Sequence, residues 1–282
     1  MKANNNIHED EIQILGGSPS NKQPKKSNNN SKIIIACIIA AILVAGIITA
    51  IYLSKNTEEG TDIPTSTVTV SQEKNTKETS YVEVFEETVN DVPLYVYVPH
   101  NAKVELMLER PDQNDSTIVF ATQAADIGID GESIIGDFVL KGEQIAKGKS
   151  KKGFCAIINN EVSIGVDYNT PLLEKTIQKN GYFFRQYPLV ANSEIIENKP
   201  KGKTIRRAIG KRNNTIVVVE SRSRESFFDF SQALVDIGIS DAIYLVGGNS
   251  FGWYKGKDNA ISTFGSTEKD ITTNMTYIVW RE

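Results

Sequence analysis

From Tyr81 onward the chain alternates apolar and polar positions with a period of two. Val82, Val84 and Phe85 are followed by Leu94, Val96 and Val98 interleaved with Tyr95 and Tyr97, then by Val104, Leu106 and Leu108. That period belongs to half-buried strands, so a β-rich start is expected. Ile118 to Asp126 predicts a strand running into a polar end, and Gly136 to Glu143 a strand leading into a turn. Phe154 to Glu161 predicts a hairpin with an Asn-Asn corner. Thr215 to Glu220 is a β-branched run with almost no polar break, the pattern of a strand buried on both faces.

The period then changes. Ser226 with Asp229 three residues on is a helix start, and Phe227, Phe230, Leu234 and Ile237 lie on one helical face, with Gly238 as the stop. Ala242 to Val246 is the next strand, and Tyr277 to Trp280 a terminal one. A strand, a helix-sized connection and a second strand predict a parallel pair, because an antiparallel pair needs only a short turn. The fold expectation is therefore a mixed α+β or α/β domain, β-rich at first, with a parallel strand-helix-strand unit near its C-terminus.

Upstream, residues 33–53 are 21 positions without a charge, the length that crosses a bilayer as a helix. Residues 1–32 are Asn-, Lys- and Ser-rich and read as a disordered tail. Residues 54–79 have linker composition, and 80–282 form the domain. Lys22, Lys25, Lys26 and Lys32 precede the apolar span and Glu58 and Glu59 follow it, so the expected arrangement is single-pass. It has a cytoplasmic N-terminus, a membrane anchor at 33–53 and an extracytoplasmic domain, which disfavours cytosolic cofactor chemistry.

The formal net charge of −4 gives no global basic field for nucleic acid. His8 and His100 are the only histidines, which excludes a multi-histidine metal site. No metal or cofactor is predicted, although a divalent metal on carboxylates stays open. Cys37 and Cys155 fall in segments of different environment, so no disulfide is expected, and Cys155 reads as a small buried hydrophobe.

The run Phe228-x-Phe230-x-x-Ala233-Leu234-x-x-Ile237-Gly238-x-x-x-Ala242-Ile243-Tyr244-Leu245-x-Gly247-Gly248-x-Ser250 resembles the C-terminal signature of the phosphodiester glycosidase family. The resemblance implies a hydrolase acting on a sugar joined through phosphate. The family pattern reads Leu-Asp-Gly-Gly, and Val246 stands here in the Asp position. A glycine pair at a strand end lets backbone N–H groups approach a ligand, which makes Gly247, Gly248, Asn249 and Ser250 candidate contacts.

Ala121-Thr122-Gln123-Ala124-Ala125 is similar to the family's Ala-Thr-Asn-Ala-Gly segment, with Gln123 replacing Asn and Ala125 replacing Gly. Asp126 is the nearest carboxylate, the catalytic candidate and also an ordinary loop Asp. Tyr182 to Val190 resembles a segment where a Gln precedes Pro, here Gln186, and aromatic planes beside it suit either a sugar or a core. Lys199 to Arg212 holds seven basic residues in fourteen, which alone reads as a solvated loop. The resemblance singles out Arg207, whose guanidinium can pair two N–H donors with a phosphate.

Two readings follow for a glycan or sugar-phosphate partner. One is a glycoside hydrolase cleaving a glycosyl phosphodiester, with Asp126 substituting for the absent family Asp. The other is an inactive glycan-binding or envelope scaffold protein of the same fold.

Overall fold

The computed structural model describes residues 79–266 and 276–282. Seventeen strands and two helices are assigned among these residues. β1 (Tyr81–Val89) and β2 (Val92–His100) form a hairpin, then come β3 (Lys103–Leu108) and β4 (Ile118–Gln123). β5 (Phe138–Leu140), β6 (Glu143–Ala146), β7 (Gly153–Ile158) and β8 (Glu161–Val166) precede α1 (Leu172–Gln178). β9 (Tyr182–Gln186), β10 (Pro188–Ala191), β11 (Glu194–Ile195), β12 (Arg207–Arg212) and β13 (Thr215–Ser221) lead to α2 (Phe227–Asp236). β14 (Ile239–Leu245), β15 (Gly252–Lys255), β16 (Ile261–Phe264) and β17 (Thr276–Arg281) follow.

The strands make three sheets. A seven-stranded sheet has the order β1-β2-β13-β12-β14-β10-β11, one five-stranded sheet the order β16-β15-β4-β17-β3, and the other β6-β5-β9-β7-β8. Side chains from all three meet in one interior that includes Tyr97, Phe120, Phe138, Phe184, Ile209, Val218, Ile243 and Trp280. The opposite face of the seven-stranded sheet, through Leu94, Val96, Ala208, Val217 and Val219, packs on Phe227, Phe230, Ala233 and Leu234 of α2. The central strands of that sheet are therefore buried on both faces, with Val218 turned to the interior and Val217 and Val219 to the helix.

α2 begins where its cap chemistry places it. Ser226 Oγ accepts the Asp229 N–H at 3.0 Å and donates to the Asp229 carboxylate at 2.8 Å. Gly238, with φ +85°, ends the segment. At the Asn159-Asn160 and Asn213-Asn214 corners both residues have positive φ, the geometry of tight two-residue hairpins.

The parallel strand-helix-strand expectation is corrected by the pairing. Every pair of strands among the described residues is antiparallel. The architecture is one of antiparallel sheets, not a mixed α/β fold. The physical reason lies in which edges are free. The Asn213-Asn214 corner folds β12 back onto one edge of β13, with Ala208 opposite Val219, and β2 occupies the other edge, with Val96 opposite Val219. When the chain leaves α2 no edge of β13 remains. β14 docks instead on the far side of β12, antiparallel, with Ala208 opposite Tyr244.

The single-pass expectation is also withdrawn. Among the described residues no helix is long and apolar enough to cross a membrane. Residues 33–53, on which the anchor, the cytoplasmic N-terminus and the extracytoplasmic domain all rested, lie outside the described residues, as do the tail and all but the end of the linker.

Candidate functional site

The C-terminal ends of β4 and β14 open onto a cleft of about 550 Å³. β4 contributes Gln123, and the chain just beyond it Asp126. Val246, Gly247, Asn249 and Ser250 come from the turn after β14, Tyr187 from the β9-β10 junction, and Lys151 from the approach to β7. The remaining wall is a small two-stranded loop. Ile127 pairs with Ile134, the Gly128 N–H donates to the Ser133 carbonyl, and Asp130 caps the Glu132 and Ser133 amides at 3.0 and 2.9 Å. Hydrogen bonds from Ser133 hold the Asp130 carboxyl below its usual pKa.

Charge in the cleft is concentrated in one pair. Lys151 Nζ lies 3.5 Å from Asp126 Oδ2 and 3.2 Å from the centroid of the Tyr187 ring. The Lys151 side chain is only 10% exposed and that of Asp126 26%. An ammonium held between an aromatic face and a carboxylate is fixed in direction and partly stripped of water, so a ligand anion meets a placed donor rather than a floating one. Among the described residues that line the cleft, Asp126 is the only acidic one.

Arg207 lies beneath this surface. It is fully buried, and its Nε–H and one terminal nitrogen donate to Glu220 Oε2, the Nε–H at 2.7 Å. The other terminal nitrogen donates to Thr122 Oγ1 at 2.8 Å, Ser250 Oγ at 2.8 Å and the Val246 carbonyl at 2.9 Å. Its Cζ also lies 4.4 Å from the centroid of the Phe264 ring, a cation-π contact. The guanidinium thus ties the end of β4 to both ends of the 246–250 turn, and its donors point at protein acceptors. It positions Ser250 and Val246.

The glycine pair is similarly absorbed. The Gly247 N–H donates to the Tyr244 hydroxyl at 3.1 Å, and the Gly248 N–H to the Ile205 carbonyl at 2.8 Å, with φ +62° at Gly248. A side chain at Gly247 would collide with the Ile205 carbonyl, so the first glycine serves close packing of two backbones. The expected exposed amides are therefore turned inward, and it is Asn249 and Ser250 that the turn presents to the cleft. Gln186 is wholly buried. Its Oε1 accepts the Tyr187 N–H at 2.9 Å, which sets the residue that carries the aromatic wall.

Sequence reasoning missed Lys151, Tyr187 and Glu220. Lys151 belongs to a lysine-rich stretch that resembles a solvated surface, and Tyr187 stands in an aromatic run that suits a core equally well. Glu220 was legible as a carboxylate ending an otherwise apolar strand. Buried charge requires a partner, and that could have paired it with Arg207. Among the described residues no three His, Cys, Asp or Glu side chains are grouped to hold a metal ion. His100 sits far from this chemistry in kind, stacked on Tyr81 and 3.2 Å from Glu83.

No protein-family model and no curated protein matches the sequence. Solved structures do. The catalytic domain of zebrafish N-acetylglucosamine-1-phosphodiester α-N-acetylglucosaminidase, in a form auto-inhibited by its pro-peptide, is similar with a TM-score of 0.52 at 10% identity. The likeness covers 72% of this chain and 83% of that one. A hypothetical protein from Synechocystis is similar with the same TM-score and identity, over 71% of this chain and 62% of its own. At that identity the likeness establishes a distant fold relationship to a phosphodiester glycosidase.

Proposed function

We propose that the cleft recognises a glycan through a sugar-phosphodiester linkage. The phosphate lies against Lys151 Nζ and the Asn249-Ser250 turn, and sugar hydroxyls meet Gln123 and Asp126. The observation that carries this reading is the oriented ammonium, held 3.5 Å from Asp126 and 3.2 Å above the Tyr187 ring in a space of about 550 Å³. A cleft of that size suits a small ligand or one unit of a larger one. The fold relationship supports the ligand class.

Recognition is favoured over turnover by the donor set. Cleaving a glycosidic bond ordinarily uses two carboxylates, one as acid and one as base or nucleophile. The cleft offers Asp126 alone, already paired, and Val246 can neither transfer a proton nor hold a cation. Arg207 and Glu220 serve as the platform that keeps Ser250 and Val246 in place.

The test uses the full chain and methyl N-acetylglucosamine-1-phosphodiester, with binding by calorimetry and product release by chromatography. Binding without product is expected, with Lys151→Ala weakening affinity by about tenfold or more, the scale of a lost hydrogen bond to a charged group. No binding, or binding indifferent to Lys151→Ala, overturns the reading. Product release by the wild type that disappears in Asp126→Asn assigns the chain to the hydrolases instead. Val246→Asp supplies a second carboxylate and is expected to give product where the wild type gives none.

A further inference from the structure

Two lysine-rich segments adjoin the cleft along the chain, and apart from Lys151 their lysines serve neither the proposed ligand contacts nor the core. On one side, 147–152 places Lys147, Lys149, Lys151 and Lys152 in six residues with no acid among them. Lys151 is the member inside the cleft. Lys147 and Lys149 are exposed, four and two residues away, which is at most roughly 14 and 7 Å along the chain. Gly148 between them is pinned by its N–H to Asp137 Oδ1 at 3.0 Å, so the segment is fixed at its middle.

On the other side, Gly248 of the cleft turn rests on the 202–206 segment. Its N–H bonds the Ile205 carbonyl, and Thr204 forms a backbone bridge with Glu225. Arg224 donates to the Lys203 carbonyl at 2.9 Å, and Arg206 to the Gly202 carbonyl. These bonds fix the backbone of the segment, and Lys201, Lys203 and Arg224 are all exposed. Lys203 finds Asp229 at 3.3 Å across a largely exposed pair. The third wall carries Asp130 and Glu132, whose carboxylates repel an anion there. Positive charge therefore adjoins the cleft along the chain in both directions. Lys147 and Lys149, the latter donating to the neutral Asn169 Oδ1 at 2.7 Å, lead to Lys151, and Lys201 and Lys203 lead to Ile205, whose carbonyl holds the cleft turn.

A single phosphodiester uses only Lys151 among these lysines. We propose that the ligand is a polymer of repeating sugar-phosphate units, with one phosphodiester in the cleft and its neighbours along the two flanking lysine segments. This rests on the recognition reading above and specifies its ligand. An exposed ion pair contributes at most about fivefold in affinity, so engaging one flanking phosphate on each side predicts a gain of roughly tenfold over a single unit at low salt. Because these contacts are exposed, salt removes the gain while sparing the partly buried Lys151 contact.

The experiment measures binding of the full chain to methyl N-acetylglucosamine-1-phosphodiester and to a tetramer of N-acetylglucosamine-1-phosphate repeats. Two controls each lack one component, inorganic tetrapolyphosphate without sugar and chitotetraose without phosphate. The tetramer is expected to bind about tenfold tighter than the single unit and tighter than either control. Lys147→Gln with Lys149→Gln, or Lys201→Gln with Lys203→Gln, reduces that gain and leaves single-unit affinity unchanged. Equal affinity for tetramer and single unit overturns the inference, as does a gain that survives both double variants or tetrapolyphosphate binding as tightly as the tetramer. Failure of the single unit to bind overturns the recognition reading itself, so the two failures are distinct.

Discussion

Replacing Glu220 by Gln removes one charge and no volume, and the structure fixes what that does. Arg207 is fully buried, and two of its nitrogens donate to the Glu220 carboxylate, which is itself 6% exposed. The remaining acceptors, Thr122, Ser250 and the Val246 carbonyl, are neutral. In Glu220→Gln the guanidinium keeps its charge, because arginine does not deprotonate in proteins, and faces an amide where it had an anion. Breaking one side of a buried pair costs about 3–5 kcal/mol, against a total stability of about 5–15 kcal/mol for a domain. Arg207→Met with Glu220→Leu removes both charges and restores most of that loss, because packed apolar groups replace a desolvated pair at little cost. Urea denaturation of the wild type, Arg207→Met, Glu220→Leu and the double variant measures the coupling. The double variant also reports on the cleft, since it removes the Arg207 donor to Ser250 and to the Val246 carbonyl, and single-unit affinity is expected to fall. A Glu220→Gln penalty below about 1 kcal/mol, the range of surface pairs, would refute the view that this pair is the platform under the site.

Ser226→Ala removes the cap of α2 and is expected to cost about 1 kcal/mol in urea denaturation. It also alters the acid limb. The Ser226 hydroxyl, with smaller help from Lys203, holds the Asp229 carboxyl below its ordinary value. Its contribution is therefore present above the unfolded pKa, 3.8, and is lost as pH falls through the lower folded value. Wild type minus Ser226→Ala stability, measured from pH 6 to pH 2, should shrink over that acid range. A difference that grows on acidification contradicts the sign. Cys155 is wholly buried and its thiol is pushed up by burial. It should resist a thiol-specific disulfide reagent at pH 8 in the native protein and react once urea unfolds it. Fast native labelling of Cys155 would refute that burial.

Local rules survived contact with the structure, and long-range ones did not. The Ser226 cap, the apolar stripe through Phe227, Phe230 and Leu234, and the stop at Gly238 depend on residues within one or two turns of each other. So does the hairpin corner at Asn159-Asn160. The parallel pair was inferred from connection length, which constrains the relative direction of two strands and says nothing about which edge the second one finds. That edge was decided by the Asn213-Asn214 corner, upstream of the helix. β12 had already filled the place beside β13. A hairpin signal ahead of a crossover therefore argues for a split unit, and the Asn-Asn pair at 213–214 carried that signal in the sequence.

The site divides along a similar line. Gln123, Asp126, Asn249 and Ser250 share one cleft although more than a hundred residues separate β4 from the turn after β14. The family resemblance and the glycine pair at a strand end nominate them, and the fold brings them to the same cleft. Arg207 was nominated for a phosphate because its chemistry fits one, yet the same five donors fit a buried carboxylate equally well. What decides between the two is whether a carboxylate lies across the sheet, and in this fold Glu220 stands directly opposite Arg207 in the β12-β13 register. A glutamate closing a strand of buried valines has few other ways to be satisfied. The cation the cleft does offer is Lys151, whose place depends on Tyr187, the residue after β9 and thirty-six positions downstream in sequence. No periodicity in the lysine-rich stretch distinguishes it from its solvated neighbours, because what selects it is an aromatic face supplied by the β9-β10 junction.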